Sequence, residues 1–381
     1  MARTRIHRPI VLLASIVFAL AAPAAAGAYS FVGIVDSTGP FSFFTPPAIN
    51  GAAVVASRAD IDGGGQAIIF ATPSGTTTIA DLDGPYAVFS GQTAINDSGT
   101  VLYSGELDPP TGGSAISIRT DQPTETTFDR TGKFSTFGLP SMNGSDTVVF
   151  QASLDTGVTG IFIGDAVLVD DTGSIDDLGS SAPDINNLGE VAYFAEYSGG
   201  TGIFRGPDPS TDTVADSGGP FAGFGLDVSI NDAGTVAFVA SLDVGGGGVF
   251  IGPDPATDTV ADSSGAYSVL STPSINGTGT VAFSAELDAG GRGIFTGPDP
   301  VTDKVIAIGD PLFGSTVTSV NFLSSGLNDA GDVAFSYSLA NSRHGIAIAV
   351  VPEPAGFAAC IAAAVAVFGF RAVRSPRRAP S

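Results

Sequence analysis

Short apolar runs broken by Gly, Asp, Asn and Pro recur from about residue 29 to residue 350, with no sustained helical period. In Val236-Ala237-Phe238-Val239, Val236 and Phe238 fall on one face of a strand and Ala237 and Val239 on the other, because strand side chains alternate sides. Both faces are apolar, so this strand is expected to be covered on both sides. A shorter strand, Val228-Ser229-Ile230, runs into it through Asn231-Asp232-Ala233-Gly234. A third, Gly248-Val249-Phe250-Ile251-Gly252, follows a glycine-rich turn, and Val214-Ala215-Asp216-Ser217-Gly218-Gly219 precedes the group as strand and turn. The pattern predicts four short strands in this stretch.

The same unit recurs. Ile230-Asn231 through Val236-Ala237-Phe238 is matched closely by Ile275-Asn276 through Val281-Ala282-Phe283 and by Leu327-Asn328 through Val333-Ala334-Phe335. Further copies start at Ile185-Asn186, Ile95-Asn96, Met142-Asn143 and, in degenerate form, Ile49-Asn50. The Asn residues are therefore Asn50, Asn96, Asn143, Asn186, Asn231, Asn276 and Asn328, spaced by 43 to 52 residues. Gly stands three positions later at Gly99, Gly189, Gly234, Gly279 and Gly331, while Asp146 takes that place in the third copy. An Asn side chain can bond backbone two residues on, and Gly accepts positive φ, so the motif suits a tight hairpin. Seven periods of four strands predict an all-β, seven-bladed β-propeller over residues 29–350. Phe31-Val32-Gly33-Ile34-Val35-Asp36 begins in mid-unit and is expected to pair with the last strand, Gly345 to Val350. A stacked β-solenoid is the competing architecture, although its usual coil is shorter.

This repeat resembles the bacterial Asn-x-x-Gly-x-x-Ala-Phe tandem-repeat family, over nearly all of residues 29–350. The Asp-Pro-x-Thr-Asp linkers, as in Asp254 to Asp258, are similar to those of seven-bladed surface propellers. The resemblance implies no defined activity, so the motif residues read as scaffold.

The two ends have a different composition. Arg3, Arg5 and Arg8 precede the uncharged run Ile10 to Leu20 and then small residues. Residues 1–28 are expected to be a secretory signal peptide, cut by signal peptidase at Ala24-Ala25-Ala26 or Ala26-Gly27-Ala28. Over 351–381, Val351-Pro352-Glu353-Pro354 is followed by uncharged Ala355 to Phe370 and then Arg371, Arg374, Arg377 and Arg378. The span would make ~24 Å of helix, short for a bilayer, and the arginines would hold its end in the cytoplasm. This order resembles the PEP-CTERM sorting signal of bacteria with cell envelopes. The resemblance implies a transmembrane helix, recognition by an exosortase-type membrane peptidase near Pro352 to Pro354, and transfer to the cell surface, outer membrane or extracellular matrix. A plain tail anchor is the alternative.

Without its ends the chain keeps eight Lys and Arg against 37 Asp and Glu, a net charge of −29. Such a surface repels nucleic acid and anionic lipid and suits cations, cationic partners or solubility. The single cysteine, Cys360, lies in the tail span, so the central domain has no disulfide and must rest on a packed core. His344 is its one histidine, and neither a Gly-x-Ser-x-Gly elbow nor a zinc ligand set accompanies it. Aspartates recur in Leu-Asp steps at Asp108, Asp155, Asp243 and Asp288, and in turns at Asp208, Asp254 and Asp299, where turn chemistry explains them. Asp60-Ile61-Asp62-Gly63 resembles the start of a calcium loop without its third acidic position, which makes Asp60 and Asp62 the calcium candidates. The Asn-Asp-x-Gly hairpin is similar to the Asp-box of sialidases but lacks Trp. Three glycosylation sequons, at Asn96, Asn143 and Asn276, coincide with repeat turns and read as chance.

The expected role is structural, adhesive or ligand-binding, toward an exopolysaccharide or a surface protein, with no catalytic residues and no cofactor except possible calcium. The alternatives are a polysaccharide-acting hydrolase or lyase using acidic residues of the propeller channel, and a calcium-dependent matrix protein. Acidic residues gathered at one channel mouth would favour the enzyme or metal readings; their spread over outer turns would favour a scaffold.

Overall fold

The strand that is apolar on both faces meets a different core with each face, as the computed structural model shows; it describes residues 29–119 and 125–351. Val236 and Phe238 pack with Phe221 and Phe250 of their own sheet and with Ala192 and Ile203 of the sheet before. Ala237 points the other way and joins Tyr267, Val281 and Phe283 of the sheet after. Among the described residues there are seven such clusters, each drawn from two neighbouring sheets, and the last pair, seventh with first, closes the circle.

The sheets follow one another along the chain as seven antiparallel blades, with no helix among the described residues. In the fifth, Phe221–Ile230, Val236–Leu242, Gly247–Phe250 and Thr259–Asp262 lie side by side from the channel outward. The inner strand is split in the first blade (Phe41–Phe44, Ala48–Ile49) and the fourth (Ile175–Asp177, Asp184–Ile185). In the seventh, Ser315–Asn321, Val333–Leu339 and His344–Val350 come from the C-terminal side. Its outer strand is Ser30–Asp36, with Ser30 opposite Val350 and Asp36 opposite Gly345. This is the end-to-end pairing expected from the mid-unit start, and it leaves no open solenoid edge.

Every inner strand slips register at its start, after the buried residues Phe41, Tyr86, Phe134, Ile175, Phe221, Tyr267 and Val317. A bulge there adds local twist, which a propeller blade needs between its axial inner strand and its splayed outer one.

Candidate functional site

The seven Asn turns converge on one cavity of about 210 Å³ at a mouth of the channel. In each, the Asn is buried. Asn231 shows the pattern: its Oδ1 accepts the N–H groups of Ala233 (3.1 Å) and Thr235 (3.0 Å), which holds its own hairpin. The N–H of Gly234 bonds the Asn231 carbonyl at 2.9 Å with φ of 77°. All seven turns place a residue with positive φ here; the two without Gly use Ala53 (57°) and Asp146 (62°). This half of the motif is the tight hairpin that Asn followed by Gly three residues later leads one to expect.

The other half reaches between blades. Each Asn Nδ2 donates to the carbonyl of the Asn in the next blade: Asn50 to Asn96, Asn96 to Asn143, Asn143 to Asn186, Asn186 to Asn231, Asn231 to Asn276 and Asn276 to Asn328. Asn328 then donates to the Asn50 carbonyl at 3.2 Å, completing a one-directional ring. Nothing in one turn's sequence announces this, because the acceptor lies some 45 residues away and is a carbonyl.

The residue after each Asn forms the rim of this mouth. Asp97, Asn187, Asp232 and Asp329 accept the N–H groups of Gly51, Gly144, Asn187 and Gly277 of the preceding blades at 2.7 to 2.8 Å. Deeper in the channel Asp184 lines a cavity of about 50 Å³ with Gln92, Thr93, Ser324 and Ser325. Its carboxylate accepts from Ser141 Oγ (2.6 Å), Ile185 N–H (3.0 Å) and Ile230 N–H (2.9 Å), so it links three blades. Burial pushes the Asp184 carboxyl up, against the pull of these donors. Desolvation by neighbouring groups also raises Asp227, on the next inner strand, although the residue is exposed at the surface. Sequence reading singled out neither. A signal existed for Asp184: two positions before the Asn, the other blades carry Ala48, Ala94, Ser141, Ser229, Ser274 and Gly326, and Asp184 alone is charged.

The remaining candidates lie apart from the channel ring. The Asp60 carboxylate sits 3.6 Å from the Arg58 guanidinium, and Asp62 is exposed in the following turn. Among the described residues no three His, Cys, Asp or Glu side chains converge where a metal ion could sit. Asp208, Asp254 and Asp299 cap their own turns, accepting N–H groups from Ser210, Ala256 and Val301. Hydrogen bonds from Ser210 hold Asp208 below the usual carboxylate range. His344 Nδ1 meets Ser338 Oγ at 2.8 Å in the seam with the N-terminal strand, and its backbone N–H donates to Ser37 Oγ. Val351 is exposed, its N–H bonded to Asp332 Oδ1 at 3.2 Å. Pro352, Glu353, Pro354, Arg371, Arg374, Arg377, Arg378 and the apolar run 355–370 lie outside the described residues, as do residues 1–28, where a signal peptide is expected. Among the described residues no helix is long and apolar enough to cross a membrane.

No curated protein matches the chain. Among solved structures, virginiamycin B lyase from Staphylococcus aureus is 11% identical with a TM-score of 0.38, covering 84% of this chain and 100% of that one. A prolyl endopeptidase is 12% identical with a TM-score of 0.48, covering 82% of this chain and 51% of that one. The PQQ-bound aldose sugar dehydrogenase from Streptomyces coelicolor is 13% identical with a TM-score of 0.38, covering 86% and 100%. Likenesses this distant bear on no activity. The sequence model of a family of unknown function (DUF7453) matches residues 172–358, from the fourth blade to just beyond Val351.

Proposed function

We propose that this chain is an exported bacterial protein, sorted through its C-terminal signal to the cell surface, outer membrane or extracellular matrix, where the propeller serves as a scaffold for adhesion or ligand binding. The observation that carries the reading is where the ring closes. The first strand after the signal segment pairs with the last strand before Val351. The propeller is therefore complete without either end, and both ends can be removed from a finished fold. The repeat residues support a scaffold role, since the Asn ring and the turn aspartates are engaged in hydrogen bonds that hold the blades.

The test is to replace Pro352, Glu353 and Pro354 with Ala in the producing cell. Uncleaved protein should accumulate in the inner membrane while the unaltered chain reaches the surface. Equal surface delivery of both would contradict sorting through this motif. The polysaccharide-cleaving alternative has two observations in its favour, the aspartates Asp97, Asp232 and Asp329 gathered at one channel mouth and the raised carboxyls Asp184 and Asp227 on neighbouring inner strands. It requires release of new chain ends from a polysaccharide that Asp227→Asn abolishes.

A further inference from the structure

The last two Asn turns are 52 residues apart, against 43 to 47 elsewhere. The extra residues build a small hairpin, Pro311–Leu312 paired on Ser315–Asn321, with Phe313 at its turn. Phe313 has φ of 48°, a conformation rare for a bulky side chain. Its ring lies over Gly33, where an added Cβ would meet it at 3.4 Å, and tilts against Tyr337 with centroids 5.6 Å apart. Gly33 stands where the N-terminal strand slips register. Gly33, Val35, Asp36, Phe313, Tyr337 and Arg343 line an open groove of about 380 Å³, within the ~300–1,000 Å³ range of small-molecule clefts.

The polar groups of this groove are incompletely used. Tyr337 is only 3% exposed, yet its hydroxyl has no hydrogen-bond partner among the described residues. Burial, then the nearby Asp36 carboxylate, pushes its pKa up to about 12, so it remains a proton donor in any physiological medium. Arg343 donates one amino group to Asp36 Oδ2 while its Nε–H has no partner. The two charges offset one another locally. An anion therefore gains little at Arg343, and a cation gains little at Asp36. What fits is an uncharged ligand with one apolar face and several groups that both donate and accept hydrogen bonds. A pyranose ring has this chemistry: its C–H face can stack on Phe313 while its hydroxyls bridge Tyr337, Asp36 and Arg343.

The geometry points to this groove as a binding site for a neutral sugar ring, a single unit of an uncharged glycan. It deepens the ligand-binding role proposed above, on which it rests only for the setting in which a glycan is met. The experiment titrates the full-length protein with the methyl glycosides of glucose, galactose and mannose, read by saturation-transfer NMR. At least one should bind with a Kd at or below ~10 mM, about −3 kcal/mol. Phe313→Gly removes the ring and relieves the positive φ, and should weaken binding by at least ~10-fold. Tyr337→Phe keeps the packing and should weaken it by about 5-fold, with the unfolding midpoint unchanged. Absence of binding by all three glycosides overturns the inference. So do tighter binding of glucuronate than of the neutral glycosides, and sugar binding that survives both variants, which would leave Phe313 and Tyr337 as seam packing only. A protein that binds the glycoside through these residues but never reaches the surface would instead contradict the sorting reading and leave the groove assignment standing.

Discussion

At the scale of single residues, the motif Asn does two jobs with two atoms. Its Oδ1 folds its own turn and its Nδ2 holds the next blade. Asp would preserve the first and destroy the second, setting a carboxylate oxygen against the Asn276 carbonyl. Asn231→Asp should therefore lower unfolding free energy by about 2 kcal/mol, the scale of a buried hydrogen bond lost with its acceptor left unsatisfied. Urea titration reads this directly, and a loss near zero would mean that the ring adds nothing. The turn half was legible because an Asn-x-x-Gly hairpin is local chemistry. The ring half was not, because its acceptor is a backbone group that sequence identity does not mark. The same turn offers a stabilising change. Ala53 holds φ of 57° where five of the other blades use Gly. Ala53→Gly should add about 0.5–1 kcal/mol, since relief of the left-handed strain exceeds the extra chain entropy lost by Gly. A lower urea midpoint in this variant would contradict the assignment of strain there. Asp146 is a poorer place for that change, because its carboxylate accepts from Asn96 Nδ2 at 2.7 Å.

At the scale of the strand, the critical element is Ser30–Asp36. It belongs to the last blade although it is first in sequence, as the mid-unit start of the repeat implies. Its end is fastened by Asp36, which accepts from the Arg343 guanidinium and from Thr38. Burial pushes the Asp36 carboxyl up, but the hydrogen bonds of Thr38 and Arg343 outweigh it and hold the group below its ordinary range. A lowered carboxyl contributes stability above its unfolded pKa of about 4 and loses it as pH falls through the lower folded value. Asp36→Asn should thus cost stability at pH 6, and the gap to the unaltered protein should narrow steadily as pH falls below about 4 through the lower folded value. A gap independent of pH would show that the carboxylate charge does not fasten the strand. The strand bulges, by contrast, have only an indirect mark in the chain. An extra residue in one strand becomes visible only against its partner, although Gly-Pro, then Phe or Tyr, then Ser or Ala, with Phe two residues later, recurs at Gly39 to Phe44, Gly84 to Phe89 and Gly219 to Phe224 and marks where three of the bulges fall.

At the scale of the molecule, seven interblade cores joined in a circle replace the single core of a layered domain, which explains how a chain without a disulfide in this region closes on itself. The motif strand was legible as covered on both sides because Val236, Ala237, Phe238 and Val239 are all apolar. The single-blade insertion was legible only as the long spacing before Asn328; its groove depends on the N-terminal strand folding beside it. Closure upstream of Val351 makes the sorting proposal physically direct, since the folded propeller needs nothing that follows. The measurement that tests this most directly is the intact mass of the protein purified from the surface of its producer. The expected mature chain begins within a few residues of Tyr29 and ends in the Val351 to Pro354 region. A mature protein that still carries Cys360 and the arginines at 371, 374, 377 and 378 would contradict it and leave a hydrophobic anchor in its place.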